Sequence, residues 1–136
     1  MNAPIEEILP HRAPMRWIDT LIDCTEMNAS ASTTFSADHY AVADGAVMEV
    51  ALIECVAQTT AAALGQLARN SGQTDGIRGG MLVAVSNFKI HSRPSPGKLL
   101  KIEGRVRKRL GPMLMVAATI SCDGQEVAAG DMTMYA

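Results

Sequence analysis

Residues 47–70 constrain the fold of this chain more than any other segment, because apolar side chains surround the whole cylinder that they would form as a helix. The helix formers Ala, Leu, Met, Glu and Gln outweigh Val, Ile and Thr, and apart from Gly65 nothing in the segment disfavours a helix. Its length of about 24 residues corresponds to roughly 36 Å of helix. Since a helix that is apolar all round must be buried, we predict a central core helix, with Asp44 as its N-cap.

The segments on either side of this helix have the composition and periodicity of strands. Residues 17–35 predict two strands with a reversal at Met27-Asn28, and a short helical turn at 5–9 precedes them. The Gly-rich segment 71–80 predicts the loop that ends the helix. Four more strands are predicted after this loop, over residues 81–90, 99–108, 113–122 and 125–135.

These elements predict a sheet that is covered by one helix. Asp123-Gly124 is a type I′ hairpin signal, so the last two strands are expected to be antiparallel neighbours. About six strands have one face to bury, and the helix is the only element available to cover it. With 136 residues the chain fits one domain, residues 1–136. The expected fold class is therefore α+β, with an antiparallel sheet wrapped around the helix.

Composition disfavours several classes of protein and partner. The apolar runs that could cross a membrane are interrupted by Glu, Gln or Arg, and the first ten residues lack the basic region of a secretory signal. We therefore expect a cytoplasmic protein with no membrane partner. The three cysteines are widely spaced and form no CxxC pair, which argues for reduced thiols and against a metal site. A net charge of −2 and an aromatic content of 4% disfavour nucleic-acid binding.

Glu54 is the main candidate for chemistry, since it lies within the helix that we predict to be buried. A buried carboxylate without a partner is costly or takes up a proton, so such a residue usually has a paired, hydrogen-bonded or functional reason to be there. Gln58 lies one turn further on, where it shares the face of Glu54 and can orient it or a bound water. Glu49 is better explained as an exposed residue at the positive end of the helix dipole.

His39 is the histidine best placed to act with Glu54. It lies in the loop between the second strand and the helix, where its side chain can overhang a pocket at the helix start. His11, in the proline-bounded lead-in, is interpreted as a structural hydrogen-bonding residue, and His91 as a solvated residue at a strand end. The predicted acid–base pair is therefore His39 and Glu54.

Several motifs resemble those of the hot-dog-fold 3-hydroxyacyl-(acyl carrier protein) dehydratases. Residues 54–58, Glu-Cys-Val-Ala-Gln, resemble the E-x-x-A-Q helix motif of that family, and residues 8–14 resemble its I-L-P-H-R-x-P opening. Phe88-Lys89 and residues 93–97 resemble its F-x-x-P-V-x-P-G stretch, and Asp123-Gly124 falls at its final hairpin. The loop after His39 lacks the family's prolines. The arrangement from Gly45 to Gln58 is similar to that of the divergent dehydratase-like proteins of aryl polyene gene clusters.

The resemblance implies a site and an assembly. The catalytic histidine of the family corresponds to His39 and its acid to Glu54, each from a different protomer, which implies a homodimer or higher oligomer, or a heterodimer with a related dehydratase. Gly45, Val50 and Gln58 are expected to bind substrate, and backbone N–H groups at the helix start are expected to hold the thioester oxygen. No metal or organic cofactor is required.

The implied reaction is the loss of water from a 3-hydroxyacyl thioester, carried on acyl carrier protein or CoA, in fatty-acid or polyene biosynthesis. His39 is expected to take the α-proton, and Glu54 to assist the departing hydroxyl. Two alternatives stay open. One is an acyl thioesterase in which Glu54 activates water, and the other is a non-catalytic acyl-binding subunit of a paired dehydratase.

Overall fold

The computed structural model describes residues 2–72 and 81–135, and within them it contains two helices and eight strands. The helices are α1, Ile5–Ile8, and α2, Glu49–Asn70. The strands are β1 (Thr20–Cys24), β2 (Asn28–Thr33), β3 (Val42–Ala43), β4 (Ala46–Val47), β5 (Met81–Ile90), β6 (Leu100–Leu110), β7 (Met113–Cys122) and β8 (Gln125–Tyr135). The predicted loop over 71–80 falls mainly on residues 73–80, which lie outside the described residues.

Six of the strands form one antiparallel sheet in the order β1-β2-β6-β7-β8-β5. The turn between β7 and β8 has positive φ at both Asp123 (54°) and Gly124 (78°), as a type I′ hairpin requires. β5 follows α2 in the chain yet lies at the edge of the sheet beside β8, so the chain crosses the sheet between β5 and β6. The predicted α+β architecture, one long helix against a six-stranded antiparallel sheet, is confirmed.

The inner face of the sheet packs against α2. Leu52, Cys55 and Val56 of the helix are at most 1% exposed, and they lie in one core with buried side chains of β6, β7 and β8 such as Ile102 and Ile120. α2 is long and apolar enough to cross a membrane by length and composition, but 67% of its most apolar window is buried inside the protein. The helix is therefore the core of the fold, as its all-round apolar sequence predicts.

The start of α2 differs from the prediction. The helix begins at Glu49, with Met48 as an N-cap that makes no side-chain capping bond, so the prediction of Asp44 as the N-cap is wrong. Asp44 (φ 54°) and Gly45 (φ 77°) instead form the turn of a two-stranded hairpin made of β3 and β4. The reason is that Asp-Gly satisfies the two positive φ angles of a type I′ turn, which competes with capping.

The N-terminal segment is fixed on the outer side of α2. Gly65 approaches it so closely that a Cβ built there would lie 2.1 Å from the backbone oxygen of Ile8. The amide of Ala3 donates to the side chain of Gln66 (2.7 Å), and both Ile8 and Leu9 are buried. This anchoring places the loop that follows, residues 10–18, alongside the first half of the helix.

Candidate active site

Glu54 lies in the second turn of α2 and faces the N-terminal loop. Its side chain is 34% exposed in a single chain, so the expectation of complete burial is wrong. The first turn is open as well, with Val50 57% exposed and Glu49 exposed. The carboxyl therefore lies at the border between the buried part of the helix and an open surface, where a substrate can reach it.

Gln58 holds one oxygen of Glu54. Its Nε2 donates to Glu54 Oε2 (2.8 Å) and to the backbone oxygen of Met15 (2.9 Å). Its Oε1 accepts from the backbone amides of Trp17 (2.8 Å) and Ile18 (3.2 Å). The side chain is 1% exposed, and both of its N–H groups and both lone pairs of its oxygen are used. Gln58 thus orients Glu54, as the one-turn spacing predicts, and joins the helix to the N-terminal loop.

His11 is a second neighbour of Glu54. Its Nε2 lies 3.7 Å from Glu54 Oε2, and its side chain is 32% exposed. The other ring nitrogen, Nδ1, is buried and has no hydrogen-bond partner among the residues that the structure describes. The sequence interpretation of His11 as a structural residue did not anticipate contact with the candidate acid.

His39 belongs to an aromatic cluster on the surface loop before α2. Its ring stacks on Tyr40 (centroids 4.8 Å apart, 17° between planes) and makes edge contacts with Phe35 at 5.0 Å and Trp17 at 6.1 Å. Nδ1 accepts a hydrogen bond from the backbone amide of Ala41 (2.9 Å). The neutral ring in this arrangement carries its proton on Nε2, since Nδ1 must keep its lone pair for the amide.

Trp17 lies between the two predicted catalytic residues. Its backbone amide bonds to the Gln58 side chain that holds Glu54, while its ring contacts both His39 and Tyr40. Within residues 2–72 and 81–135, however, no ion pair joins His39 to Glu54. One chain supplies both side chains at one end of α2 without pairing them.

The β3–β4 hairpin, which carries Gly45, is held by Arg93. The guanidinium donates to the backbone oxygens of Ala43 (2.6 Å), Ala46 (3.0 Å) and Val47 (3.0 Å). Gly45 is exposed at the turn, with open space around the position of a Cβ. The hairpin therefore presents its turn to solvent beside the start of α2, and no residue of the described chain covers it at Gly45.

The cysteines lie apart from these groups. Cys55 follows Glu54 in sequence, but its side chain is fully buried in the core. This burial raises the pKa of the thiol well above its ordinary value. This agrees with a packing role rather than a nucleophilic one. In the part of the chain that the structure describes, no group of three or more His, Cys, Asp or Glu side chains is placed to hold a metal ion.

Three features of the site are absent from the sequence-based prediction. A histidine in a proline-bounded loop, such as His11, carries no signal of its tertiary neighbours. The β3–β4 turn had a signal, since Asp44-Gly45 is the same dipeptide as Asp123-Gly124, which was interpreted as a hairpin. The role of Arg93 has no local signal, because its three acceptors are backbone oxygens 46 to 50 residues away in sequence.

Comparison with known proteins gives a consistent result. The model of the ApeP-like family, described as ApeP dehydratase, matches residues 3–136. The 3-hydroxyacyl-(acyl-carrier-protein) dehydratase FabZ of Exiguobacterium sibiricum is 27% identical over 137 residues, which span 95% of this chain and 93% of the relative. The corresponding FabZ of Staphylococcus carnosus is 29% identical and is covered to 90%.

Solved structures share the architecture. The dehydratase heterocomplex ApeI:P from Xenorhabdus doucetiae superposes with a TM-score of 0.88 at 22% identity, covering 99% of this chain and 91% of that chain. The E. coli PaaI protein superposes with a TM-score of 0.67 at 15% identity, covering 85% and 81%. Their common architecture is the hot-dog fold, so the predicted fold is confirmed.

Proposed function

The chain belongs to the ApeP-like family of dehydratases, and we propose that it removes water from 3-hydroxyacyl thioesters on an acyl carrier protein to give trans-2-enoyl thioesters. The observation that carries this proposal is the carboxyl of Glu54, which is partly exposed and yet held in one orientation by the buried side chain of Gln58. A fixed acid–base group at an open surface is what proton transfer to a bound substrate needs. The relatives named as dehydratases support the same reaction and substrate.

The proposed elimination moves two protons. Nε2 of His39 takes the α-proton, the electrons of that C–H bond form the new double bond, and the hydroxyl leaves as water with a proton from Glu54. The thioester oxygen gains negative charge as the α-proton leaves. Backbone N–H groups at Glu49 and Val50 are suited to hold this oxygen, since the first amides of a helix have no intrahelical acceptor. Gly45, in the turn beside them, is proposed to line the same site.

The base role of His39 requires one rearrangement. While Nδ1 accepts the Ala41 amide, Nε2 of the neutral ring carries a proton and cannot accept another. We propose that this bond opens when the site is assembled, so that the ring proton moves to Nδ1 and Nε2 becomes free. Gln58, whose hydrogen bonds are all used within the chain, is assigned to holding Glu54 rather than to contact with substrate.

A second chain is proposed to complete the site. In the described chain β5 pairs only with β8, and its side chains Leu82, Val83 and Val85 are 37%, 51% and 39% exposed. An exposed apolar edge strand invites pairing with another strand. We propose that residues 1–136 form one hot-dog domain that joins through β5 to a second copy or to a related dehydratase, which brings His39 of one chain to Glu54 of the other.

The test of this function is dehydration of a 3-hydroxyacyl carrier-protein substrate by the purified protein. The wild type should form the enoyl product, whereas Glu54→Gln and His39→Ala should each lower turnover by at least about a thousandfold while the fold survives. Unimpaired turnover in either variant would contradict the proposed roles. Glu103→Gln, which changes an exposed carboxylate on β6, is the matched control and should leave turnover within about twofold.

Mixing the two inactive variants tests whether the site is shared. In a homodimer with sites built from both chains, random exchange makes half of the dimers mixed, and each mixed dimer has one intact site. The mixture should therefore recover roughly a quarter of the wild-type rate. No recovery after verified subunit exchange would mean that each site lies within one chain.

Two other functions are separated by the same preparation. A thioesterase would release free thiol from the acyl thioester without forming an enoyl product. A partner-dependent subunit would be inert alone and active when mixed with a related dehydratase, and the heterocomplex from Xenorhabdus doucetiae makes this second arrangement specific enough to test.

We propose a cytoplasmic location, in keeping with cysteines that form no disulfide in the described residues.

A further inference from the structure

We propose that His11 is a positioning residue of the site, which together with Gln58 holds Oε2 of Glu54 and leaves Oε1 as the oxygen that exchanges protons with substrate. This inference rests on the proposed function for its kinetic consequence, but the contact itself can be tested without any turnover. It adds a residue that the sequence interpretation regarded as structural.

The side-chain amide of Gln58 has a fixed orientation. Its oxygen must face the amides of Trp17 and Ile18, because both are donors, and its nitrogen must face the backbone oxygen of Met15. The group that reaches Glu54 Oε2 is therefore an N–H, not an oxygen. Because Oε2 already accepts a hydrogen bond from this N–H, the proton of the acid belongs on Oε1.

The surroundings of His11 determine which ring nitrogen carries the hydrogen. Its Nδ1 is buried without a partner in the described residues, and a hydrogen there would be a buried donor with nothing to bond. The neutral ring therefore carries its hydrogen on Nε2, which faces Oε2 of Glu54 at 3.7 Å. A movement of about 0.7 Å would shorten this contact to a hydrogen bond. Both neighbours of Oε2 are then donors, and the described chain places no hydrogen bond on Oε1.

The loop that carries His11 is held in place, so His11 stays beside Glu54. Leu9 is fully buried, and the guanidinium of Arg12 donates to the backbone oxygens of Leu9 (2.8 Å) and His11 (3.0 Å). Arg12 also lies 3.7 Å from the carboxylate of Glu6. These contacts close the loop on itself beside α2. A third of the His11 side chain is exposed, so its ring can adjust toward Glu54 without moving the backbone.

The kinetic test compares three substitutions at one position. His11→Phe keeps the ring shape without a donor, His11→Gln places an amide N–H near the position of Nε2, and His11→Asn reaches only the position of Nδ1. We expect His11→Phe and His11→Asn to lower kcat by about tenfold to a hundredfold with KM within about twofold, since a misplaced catalytic group loses rate rather than affinity. His11→Gln should recover to within about threefold of the wild type.

The outcomes separate a positioning role from a structural one. Equal losses in all three variants, with a fall in thermal stability, would overturn the inference and assign His11 to the loop alone. Full activity of His11→Phe in a wild-type background that dehydrates would also overturn it, while the proposed function would stand.

An NMR measurement tests the contact without turnover. In the ¹⁵N spectrum of the imidazole groups, neutral His11 should show its proton on Nε2, and Glu54→Gln should shift the Nε2 resonance more than the Nδ1 resonance. A proton on Nδ1, or resonances that Glu54→Gln leaves unchanged, would overturn the inference. A wild type that dehydrates no 3-hydroxyacyl thioester would refute the proposed function, and the NMR result would still decide whether His11 holds Glu54.

Discussion

Glu54 and His39 are held in different ways. Glu54 projects from a buried helix, and the hydrogen bonds of Gln58 tie its carboxyl to the segment from Met15 to Ile18. His39 projects from a surface loop, where aromatic packing and one bond from the Ala41 amide hold its ring. The acid is therefore fixed by the directional hydrogen bonds of a buried side chain, and the histidine by contacts that tolerate movement.

This difference separates two kinds of variant. A change on the Glu54 side leaves buried polar groups without partners, so it should lower the free energy of unfolding and the turnover together. A change on the His39 side removes partly exposed contacts, so it should alter turnover with a smaller effect on unfolding.

Gln58→Leu should be the most damaging substitution. It removes the partner of two backbone amides and one backbone oxygen that lie at or near the buried interface of the helix. Each unsatisfied buried group costs about 1–3 kcal/mol, so we expect a loss of about 3–5 kcal/mol in the free energy of unfolding. Denaturant titration measures the loss, and turnover at a temperature where the variant is folded measures the effect on Glu54. A variant as stable as the wild type would show that water replaces Gln58 and that the acid is not rigidly held.

Gly65→Ala should disturb the Glu54 side of the site, acting from the C-terminal half of α2. The added Cβ would lie 2.1 Å from the backbone oxygen of Ile8, so α1 and the loop that follows must move outward. Overpacking of this kind costs about 1–3 kcal/mol, and occasionally more. Thermal unfolding should show the loss.

The control for this substitution is Gly104→Ala in β6. A Cβ there would meet only a side-chain carbon of Val116 at 3.3 Å, which can yield. We expect the control to change the free energy of unfolding by less than about 1 kcal/mol. Equal effects of the two substitutions would mean that the N-terminal segment is free to shift, and with it the partners of Glu54.

Arg93→Met should loosen the other side of the site. The methionine keeps much of the apolar volume but loses the three hydrogen bonds to Ala43, Ala46 and Val47. Because Arg93 is exposed, water can replace part of what is lost, and we expect a loss of about 1–2 kcal/mol in the free energy of unfolding. We expect kcat to fall more than stability predicts, since the hairpin precedes the helix start that would hold the thioester oxygen. Arg107→Met, which removes an exposed pair with Asp131, is the control and should change neither quantity appreciably.

The fold could be predicted from sequence because its strongest signals are local. The apolar side chains all round α2 predict a buried helix. The bounds of β5, β7 and β8 follow from strand-like periodicity that ends at turn residues. The start of α2 could not be placed from propensity, since Asp44 is suited both to a cap and to a type I′ turn. In the structure it adopts the turn, and Arg93 donates to the backbone oxygen of Ala43 beside it, a tertiary contact that local propensity does not describe.

The site could be predicted only as far as its residues share one element. Glu54 and Gln58 lie one turn apart on α2, so their contact follows from helix geometry. His11 and Trp17 reach the same place through the packing of Ile8 against Gly65, which no short-range pattern encodes. The exposure of Glu54 was misjudged for a related reason: apolar residues around a helix indicate average burial and do not show where the covering layer stops.

Tyr40→Phe should have the smallest effect, and it tests how the His39 side is held. The hydroxyl donates to the backbone oxygen of Pro14 (2.8 Å) and accepts from the indole of Trp17 (2.8 Å), while the ring stacks on His39. Phenylalanine keeps the stacked ring and loses only the hydroxyl contacts, and the residue is 52% exposed, so the free energy of unfolding should change by about 0.5–1 kcal/mol. If packing alone places the imidazole, dehydration should stay within about threefold of the wild type, whereas Tyr40→Ala, which removes the ring, should lower kcat by about tenfold. A large loss in Tyr40→Phe would mean that hydrogen bonds fix His39 as they fix Glu54, and the contrast between the two sides would no longer hold.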